Sequence, residues 1–440
     1  MPHRESRESR DSNGASTSGT SARPTTSSGS SRGAPPGRPI RFRSSLKNTI
    51  YDVLKARGWV EVDGDTDWDF FWADVGWVHE MMDHLHLQDH QRINHFRNHY
   101  ELTRKDLLIK NLKRTKKQLE REDKAVEAAK YDFFPSTYAL PADYGMFVEE
   151  FKKMQASGQQ IVYIMKPVGK AQGKGIFLFT KLSEISDWKK DHKWKSENPQ
   201  AENYIVQRYI DNPYLVGGKK FDMRIYAMVV SYAPLKIYLY RSGFARFSTT
   251  RFSMRKEDIV NNYIHLTNVA IQKNAPAYDP SKGMKWLLGS LKQYLVTRHG
   301  QKAADDVFRD ISMIIVRAIL AVQNVIIQDK HCFELYGYDV MIDDNLKPWL
   351  LEVNASPSLT ADTREDYDLK IGMLDDMLTL VDLEHKLPPG STPEQVGGFD
   401  LMWHQGQLVR PGGKLTSLWT MLGCHNDRQK QLKKLFAASK

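Results

Sequence analysis

The sequence predicts an α/β fold built from several subdomains, and three observations support this prediction. A chain of 440 residues with 41% hydrophobic residues can bury a large core. Aromatic and β-branched runs, such as residues 335–342 and 348–354, alternate with amphipathic helical stretches, such as residues 365–385. Only Cys332 and Cys424 occur, which gives neither a disulfide framework nor a zinc-binding spacing, and no apolar run is long enough to span a membrane.

The N-terminal region divides into a tail and a small subdomain. Residues 1–45 are rich in Ser, Arg, Gly and Pro, so a disordered basic tail is predicted. An α/β subdomain is predicted over residues 46–130, where the sequence 41–62 reads as strand, helix and strand and the Trp-rich stretch 65–78 is expected in the core. The second half of residues 93–122 predicts a strongly basic helix, which is either a solvated face or a docking surface for an acidic partner.

The next region, residues 131–212, is predicted to be a central subdomain with a phosphate loop. Its first part reads as a loop followed by an amphipathic helix, and then a strand ending in Lys166 leads through the loop GKAQGKG into a second strand. This is not a P-loop, because no Ser or Thr follows Lys174 and a strand comes next. Glycines still let the backbone approach a phosphate and point its N–H groups inward, although such a loop also occurs as a simple turn.

Residues 213–386 are predicted to form a C-terminal subdomain dominated by strands. Lys220, Asp222 and Arg224 alternate on one face of a strand. Because an apolar run follows Arg224, this side chain is expected to turn inward and pair with an anion, and Arg246 is expected to behave similarly. The alternative for each arginine is an exposed charge at a sheet edge.

The other elements of this half are less distinctive. They are, in order, a loop beside the sheet with Thr267 and Asn268, a helical stretch that contains Lys285, a long apolar helix over 303–329, an amphipathic helix with Lys370, and loops with a short basic segment over 387–440.

The strongest chemical signal is a hairpin between residues 335 and 359. If its turn closes over residues 343–346, Asp339 lies opposite Leu350. Alternation then places Leu350, Glu352 and Asn354 on the face of Asp339.

Two carboxylates and one amide oxygen on a common face suit Mg²⁺, which prefers oxygen ligands. Both faces near the acids look apolar, and buried carboxylates are usually paired or metal-bound. The hairpin therefore predicts a magnesium site, with a half-exposed hairpin whose polar residues face water as the alternative.

Charge narrows the choice of partners. The net charge is +10, but residues 1–47 contain nine Lys or Arg and three Asp or Glu, which leaves only +4 for the rest. A basic surface implies an acidic partner, either nucleic acid or acidic polypeptide, and no motif that reads nucleic acid is recognisable.

Six segments share an order and spacing with a known family: MKPVGKAQGKGI, VQRYI, KKFDMR, LTN, YGYDVMID and WLLEVNASPSL. Over residues 45–385 the chain resembles the tubulin tyrosine ligase-like family of ATP-grasp ligases, in particular its shorter tubulin polyglutamylases. The resemblance implies an ATP-grasp fold with N-terminal, central and C-terminal subdomains and with nucleotide between the last two. The implied cofactors are ATP and two Mg²⁺ ions.

The resemblance also implies roles for individual residues. The residues expected to contact the nucleotide are Lys166, Gln172, Gly173, Gln207, Arg208, Tyr209, Ile210, Lys220, Phe221, Asp222, Thr267 and Asn268. The metal ligands would be Asp339, Glu352 and Asn354, and the catalytic residues would be Arg224 and Glu352. The residues expected to hold free glutamate are Arg246, Lys285 and Lys370.

The implied activity is ATP-dependent glutamylation of the acidic C-terminal tails of tubulin through an acyl phosphate. Gln172 resembles chain-elongating members, whereas Ala355 stands where some members place a larger side chain near the acceptor, so the resemblance leaves initiation versus elongation open and leans to elongation. The alternatives are a glycine or tyrosine ligase of the same fold and a non-catalytic microtubule-binding relative. The expected partners are microtubules, free L-glutamate and an accessory targeting subunit, with neither nucleic acid nor membrane. The expected location is the cytoplasm and cytoskeleton, in the axoneme and basal body of cilia.

Overall fold

The structure is a computed structural model, and it describes residues 38–158, 161–185, 203–279, 284–355, 357–410 and 419–438. Most of the predicted N-terminal tail lies outside the described residues. The last part of that predicted tail is already folded, because a strand begins at Arg41. Among the helices in the described part of the chain, none combines the length and the apolar character needed to cross a bilayer.

The N-terminal part contains a parallel four-stranded sheet. Its strands are β1 (Arg41–Ser44), β2 (Val60–Glu61), β3 (Phe70–Trp72) and β4 (Arg92–Ile93), in the order β2-β1-β3-β4. Its helices are α1 (Thr49–Ala56), α2 (Val75–Met81), α3 (Tyr100–Thr103), α4 (Lys105–Arg121) and α5 (Ala125–Ala129), with a 3₁₀ turn at Met82–His84. The predicted strand-helix-strand order is confirmed.

Apolar spacing explains how this part packs. Trp68 and Trp72 are buried, as the Trp-rich stretch predicted. In α4, Leu108 and Leu112 lie one turn apart and face the core, while most of the lysines and arginines of the helix stay at the surface. The packing of α4 carries its first residue, Lys105, to the edge of the cleft described below.

The central part is an antiparallel four-stranded sheet with one long helix. Its elements are β5 (Thr137–Leu140), α6 (Tyr144–Ala156), β6 (Tyr163–Pro167), β7 (Phe177–Phe179) and β8 (Tyr204–Arg208), and the strand order is β5-β8-β6-β7. The sequence predicted a loop where β5 lies. The prolines on either side of β5 suggested a break, but its four residues pair with β8 from Thr137 opposite Gln207 to Leu140 opposite Tyr204.

The C-terminal part is built on a nine-stranded sheet. Its elements are β9 (Leu215–Val216), β10 (Lys219–Tyr232), β11 (Leu235–Phe247), α7 (Asn262–His265), α8 (Val269–Gln272), β12 (Lys285–Leu287), α9 (Leu288–Leu320), β13 (Glu334–Ile342), β14 (Pro348–Asn354), α10 (Arg364–Val381), β15 (Gln395–Val396), β16 (Phe399–His404), β17 (Gln407–Leu408) and α11 (Arg428–Ala438). The order is β14-β13-β10-β11-β16-β15, with β9 on β10, β12 on β11 and β17 on β16.

Three local predictions in this part were wrong. Lys285 lies in β12 and not in a helix, because this short segment pairs with β11, and the helix begins three residues later. α9 is interrupted at Gly300, where φ is 83°, and it ends at Leu320 rather than extending to residue 329. Residues 395–408 form β15–β17 instead of loops; these strands are too short for a clear alternation of apolar residues.

A buried polar cluster joins the N-terminal part to β13. The Glu334 carboxyl lies 2.9 Å from His95 Nδ1, and it accepts hydrogen bonds from the Phe96 backbone N–H and the Tyr336 hydroxyl. Burial raises the pKa of Glu334 to about 7 and lowers that of His95 to about 4. Between about pH 4 and pH 7 the cluster is therefore held mainly by a protonated carboxyl group and a neutral imidazole.

The raised pKa of Glu334 predicts a change of stability with pH. Because its folded pKa lies above the unfolded value of 4.5, its contribution is full below about pH 4.5 and is lost as pH rises through 7. We expect Glu334→Gln to gain unfolding free energy relative to wild type by up to about 1.4 kcal/mol per pH unit across that window. Denaturant unfolding of both proteins at pH 5, 6 and 7 measures this difference in unfolding free energy. Exposed Glu257→Gln is the control, and parallel profiles for Glu334→Gln and wild type would contradict the assignment.

Candidate active site

A cleft of about 730 Å³ lies between the central sheet and the C-terminal sheet. Strands β6, β8, β10, β13 and β14 and the loop after β6 all contribute to its lining. The predicted residues that line it are Lys166, Gln172, Gly173, Gln207, Arg208, Tyr209, Ile210, Lys220, Asp222, Thr267, Asn268, Asp339 and Glu352. Residues distant in sequence are thus brought to one cavity, which combines apolar walls with a few polar and charged groups, as small-molecule sites do.

One buried lysine lies at the base of the phosphate loop. Lys166, near the end of β6, donates a hydrogen bond of 2.8 Å to Gln207 Oε1, and Gln207 Nε2 donates to the Thr137 hydroxyl at 2.9 Å. Burial lowers the pKa of Lys166 to about 8. Its ammonium group has no carboxylate within salt-bridge distance among the described residues, so an anion entering the cleft meets an unneutralised cation.

A second buried lysine is held by a chain of hydrogen bonds. Lys220 Nζ donates to the Tyr209 hydroxyl at 2.9 Å and to the His265 carbonyl oxygen at 2.8 Å. Tyr209 in turn lies 2.9 Å from His265 Nδ1, and His265 Nε2 lies 3.0 Å from the Asp258 carbonyl oxygen. His265 therefore carries its proton on Nε2 and accepts from Tyr209. Burial lowers the pKa of Lys220 to about 7.

These two lysines predict that a polyphosphate would bind in the cleft with a pH-dependent affinity. A polyphosphate stabilises their protonated forms, so binding near pH 8 should take up protons, and affinity should fall by up to about tenfold per lysine per pH unit as pH rises above 7. Calorimetric titration of ADP at pH 8 in buffers of different ionisation enthalpy measures the uptake. Lys166→Arg should reduce it, because a guanidinium stays charged. Binding without proton uptake would contradict the prediction.

The backbone conformation of the phosphate loop explains why residue 173 is a glycine. Gly173 has φ of 79°, and a Cβ atom there would lie 2.4 Å from Ile271 Cδ1 and 3.0 Å from Asn268 Oδ1. Gln172 also has a positive φ, 63°. The loop therefore packs directly against the segment that carries Thr267 and Asn268, which brings the two halves of the predicted nucleotide site together.

Apolar side chains complete the cleft. Sequence reasoning did not single out these residues, because isolated aliphatic residues in strands are normal core positions. They are Ile164, Ile176, Leu266, Met341 and Leu351. A slot walled by aliphatic side chains beside the backbone of Arg208–Ile210 suits a flat heteroaromatic base.

The hairpin of β13 and β14 has a different strand register from the one that the sequence predicted. Asp343 pairs with Lys347 across the turn, which places Ile342 opposite Pro348 and Val340 opposite Leu350. A β-bulge at Leu351 then sets Asp339 directly opposite Glu352 and Gly337 opposite Asn354. The prediction that Leu350 shares the face of Asp339 was wrong. Leu350 is in the hydrophobic core, and Leu351 lines the cleft.

The two predicted arginines turn inward, as expected. Arg224 Nε lies 2.5 Å from Asp339 Oδ1, and Arg246 lies 2.8 Å from Asp339 Oδ2 while also forming a bidentate pair with Asp222. Burial alone would raise the pKa of Asp339, but the two guanidinium groups hold it well below its usual range. Asp339 is therefore ionised at the floor of the cleft.

The residues present fit a magnesium ion. Asp339 accepts three of the roughly four hydrogen bonds that a carboxylate can accept. Glu352 faces the cleft with a quarter of its side chain exposed, and its nearest cation is Lys105 at 3.4 Å. Asn354 donates weakly to Glu352 at 3.4 Å, which leaves its amide oxygen as an available donor atom. This is an all-oxygen set in a cleft that also holds phosphate-seeking lysines.

The remaining predicted residues lie beside the cleft. The Phe221 side chain packs in the hydrophobic core next to Phe247, because it points to the opposite face of β10 from Lys220 and Asp222. Lys285 lies opposite Arg246 across β12 and β11, and it is outside the cleft lining. Lys370, on α10, is linked to Lys285 because the Asp366 carboxylate forms an ion pair with each of the two lysines.

Three polar residues of the described cleft lining were not among the predicted site residues: Lys105, Lys170 in the phosphate loop, and His265. No role was predicted for Lys105 from the sequence, but this residue lies 3.4 Å from Glu352 and donates to the Lys170 carbonyl oxygen at 3.4 Å. His265 had no distinguishing neighbour in the sequence, although it positions Tyr209. No local pattern marks Lys105 or His265, because each is brought to the cleft by tertiary packing.

The chain is similar in sequence to proteins of one known family. The model of the tubulin-tyrosine ligase family matches residues 82–392. The chain is 51% identical over 433 residues to a Bos taurus protein named "Probable tubulin polyglutamylase TTLL9", which covers 90% of this chain and 92% of the relative. It is 49% identical over 364 residues to the Caenorhabditis elegans "Probable tubulin polyglutamylase ttll-9", with 82% and 84% covered. A Tetrahymena thermophila "Probable alpha-tubulin polyglutamylase Ttll1" is 44% identical over 393 residues, with 84% and 94% covered.

Proposed function

Since this chain belongs to the tubulin-tyrosine ligase family, we propose that it is an ATP-dependent tubulin polyglutamylase, which adds glutamate to the acidic tails of tubulin. The observation that carries the proposal is the composition of the cleft. Two buried lysines lie opposite the facing carboxylates Asp339 and Glu352, with Arg246 beside them. Such a cavity can hold a magnesium-bound triphosphate at one end and an acidic substrate at the other.

The reaction proceeds in two steps. An oxygen of a tubulin γ-carboxylate attacks the terminal phosphorus of ATP, so that ADP leaves and an acyl phosphate forms. The amine of free glutamate then attacks the acyl carbon, phosphate leaves, and an amide bond forms with loss of a proton. Both steps concentrate negative charge, so catalysis rests on positioning and electrostatic stabilisation.

Residues of the chain supply these functions. Lys166 and Lys220 bind the phosphates, and Gly173 lets the loop backbone approach them. Asp339, Glu352 and Asn354 would hold Mg²⁺, which screens the phosphate charge and orients the terminal phosphate. Arg224 donates a hydrogen bond to Asp339 from the neighbouring strand, and we assign it the role of stabilising the phosphorylated intermediate.

We assign the amino acid specificity to three cations beside the cleft, Arg246, Lys285 and Lys370. Arg246 and Lys285 are adjacent across two strands, and Lys370 shares a carboxylate partner with Lys285. A cationic pocket selects an amino acid with a side-chain carboxylate over glycine, which has none. We further propose a preference for chain elongation, which is supported by the position of Gln172 in the cleft lining.

The decisive experiment incubates the full chain with microtubules, ATP, Mg²⁺ and labelled glutamate, and reads the tubulin tails by mass spectrometry. Tails that gain glutamates are expected, with chains lengthening on pre-glutamylated tails faster than branches start. Equimolar glycine and tyrosine in the same reaction test the amino acid. Incorporation of glycine instead, or no incorporation with or without a ciliary extract, would overturn the proposal.

Cellular context is part of the same proposal. Microtubule tails are acidic, and the lysines and arginines on the exposed part of α4 are a complementary surface. An accessory targeting subunit and localisation to the axoneme and basal body of cilia follow from the resemblance described above. A tagged chain that distributes evenly through the cytoplasm of ciliated cells would argue against that localisation.

A further inference from the structure

The segment between β14 and α10 brings two carboxylates to the proposed glutamate pocket. Lys285 Nζ lies 2.8 Å from Asp362 Oδ2 and 2.7 Å from Asp366 Oδ2, and Lys370 Nζ lies 2.8 Å from Asp366 Oδ1. Asp362 also pairs with Lys273. The cations that were expected to receive glutamate are thus already paired with acids of the chain itself.

These two carboxylates differ in how firmly they are held. Asp366 is fully buried in the first turn of α10, its backbone N–H donates to Thr363 Oγ1, and its carboxylate bonds both lysines. Asp362 precedes the helix, and 27% of its side chain is exposed. Its backbone N–H donates to Asp366 at 3.2 Å, so one long hydrogen bond and two partly exposed ion pairs hold it.

The charge of this cluster also points to a missing anion. Lys273, Lys285 and Lys370 contribute three positive charges, while Asp362 and Asp366 contribute two negative charges. One further carboxylate would neutralise the cluster. The ion pair of Asp362 is partly exposed and therefore weak, whereas breaking the buried pairs of Asp366 would leave charges without partners.

We propose that Asp362 is an internal competitor that the side-chain carboxylate of the incoming amino acid displaces from Lys285, and that Asp366 is a fixed positioning residue for Lys285 and Lys370. This inference rests on the proposed function of the cleft. In the free enzyme Asp362 is paired with Lys285 and leaves the cluster one positive charge in excess. When the substrate carboxylate binds Lys285, Asp362 is left with Lys273 and its segment loosens.

The test compares three Asp→Asn variants of the full chain on microtubules with ATP and glutamate. Asp362→Asn should lower the KM for glutamate by about threefold to fivefold, because a weak competing pair is removed. Asp366→Asn should raise it tenfold or more, because the two lysines lose their fixed partner. The control, Asp368→Asn, removes a charge from an exposed site on the same helix as Asp366. It should leave the KM for glutamate unchanged. The KM for ATP should stay constant in all three.

Hydrogen exchange gives an independent readout. Glutamate together with a non-hydrolysable ATP analogue should speed exchange of the Asp362 amide in the wild-type chain, since its hydrogen bond to Asp366 is released. The inference would be overturned if Asp362→Asn and Asp368→Asn changed the KM for glutamate equally, or if glutamate binding slowed exchange of the Asp362 amide. If Asp366→Asn fails to fold, Asp362→Asn and the exchange measurement still decide. A wild-type chain that transfers no glutamate would instead contradict the proposed function.

Discussion

Replacing Glu352 by Gln is expected to slow glutamate transfer by about a thousandfold, the largest effect on activity that the cleft predicts. Glu352 is the one carboxylate of the facing pair that is not already held by arginines, since Asp339 is bound to Arg224 and Arg246. An amide has the same shape but lacks the charge that binds Mg²⁺. Single-turnover incorporation of labelled glutamate at saturating ATP measures the loss.

The control for this variant is Glu80→Gln, which changes an exposed carboxylate that is not part of the cleft lining. Its rate should equal that of the wild type. Raising Mg²⁺ should rescue part of the Glu352→Gln activity if the lost function is metal binding. A Glu352→Gln variant with more than a tenth of wild-type activity would contradict the role of this hairpin.

Arg246→Leu should cause the largest loss of stability, about 3–5 kcal/mol. Arg246 is buried and neutralises Asp222 by a bidentate pair while also contacting Asp339. Its removal leaves Asp222 as a buried charge without its partner. Denaturant unfolding at pH 7 measures the change, and Arg255→Leu, which breaks an exposed pair, should cost less than about 1 kcal/mol.

A double variant separates charge from packing. Arg246→Leu combined with Asp222→Leu removes both members of the buried pair, and it should recover most of the stability lost by the single change. Since Asp339 keeps Arg224, its charge stays compensated. If the double variant were less stable than Arg246→Leu, the loss would come from packing and not from an unpaired carboxylate.

Alternation along strands explains what could be predicted from the sequence. Lys220, Asp222 and Arg224 follow one another at a period of two, and the structure places Lys220 and Asp222 in the cleft lining with Arg224 paired to Asp339. The predicted common face of Asp339, Glu352 and Asn354 is likewise found. The alternation along β10 is local, so the period of a strand is sufficient to infer it. The meeting of Asp339 and Glu352 also requires the bulge at Leu351, which the period of a strand does not indicate.

Tertiary packing explains what could not be predicted. Lys105 looks like any other lysine of a basic helix, and only the packing of α4 against the sheet brings it to Glu352. β15–β17 are recognisable only through their partners, since two of them have two residues each. The internal pairing of Lys285 and Lys370 with Asp366 also depends on α10 packing beside β12, which residue spacing alone does not specify.

The bulge at Leu351 has a consequence for how this site tolerates change. In a regular ladder continuing from Val340 and Leu350, Asp339 would face Leu351, and Glu352 would point away from the cleft. A single extra amino acid thus decides whether the two acids meet. Straightening the bulge with every residue of β14 kept would preserve a well-formed hairpin yet separate the acids, whereas loss of Leu351 would give a regular ladder in which Glu352 still faces Asp339. The presence of every named side chain therefore does not by itself show that the two acids meet.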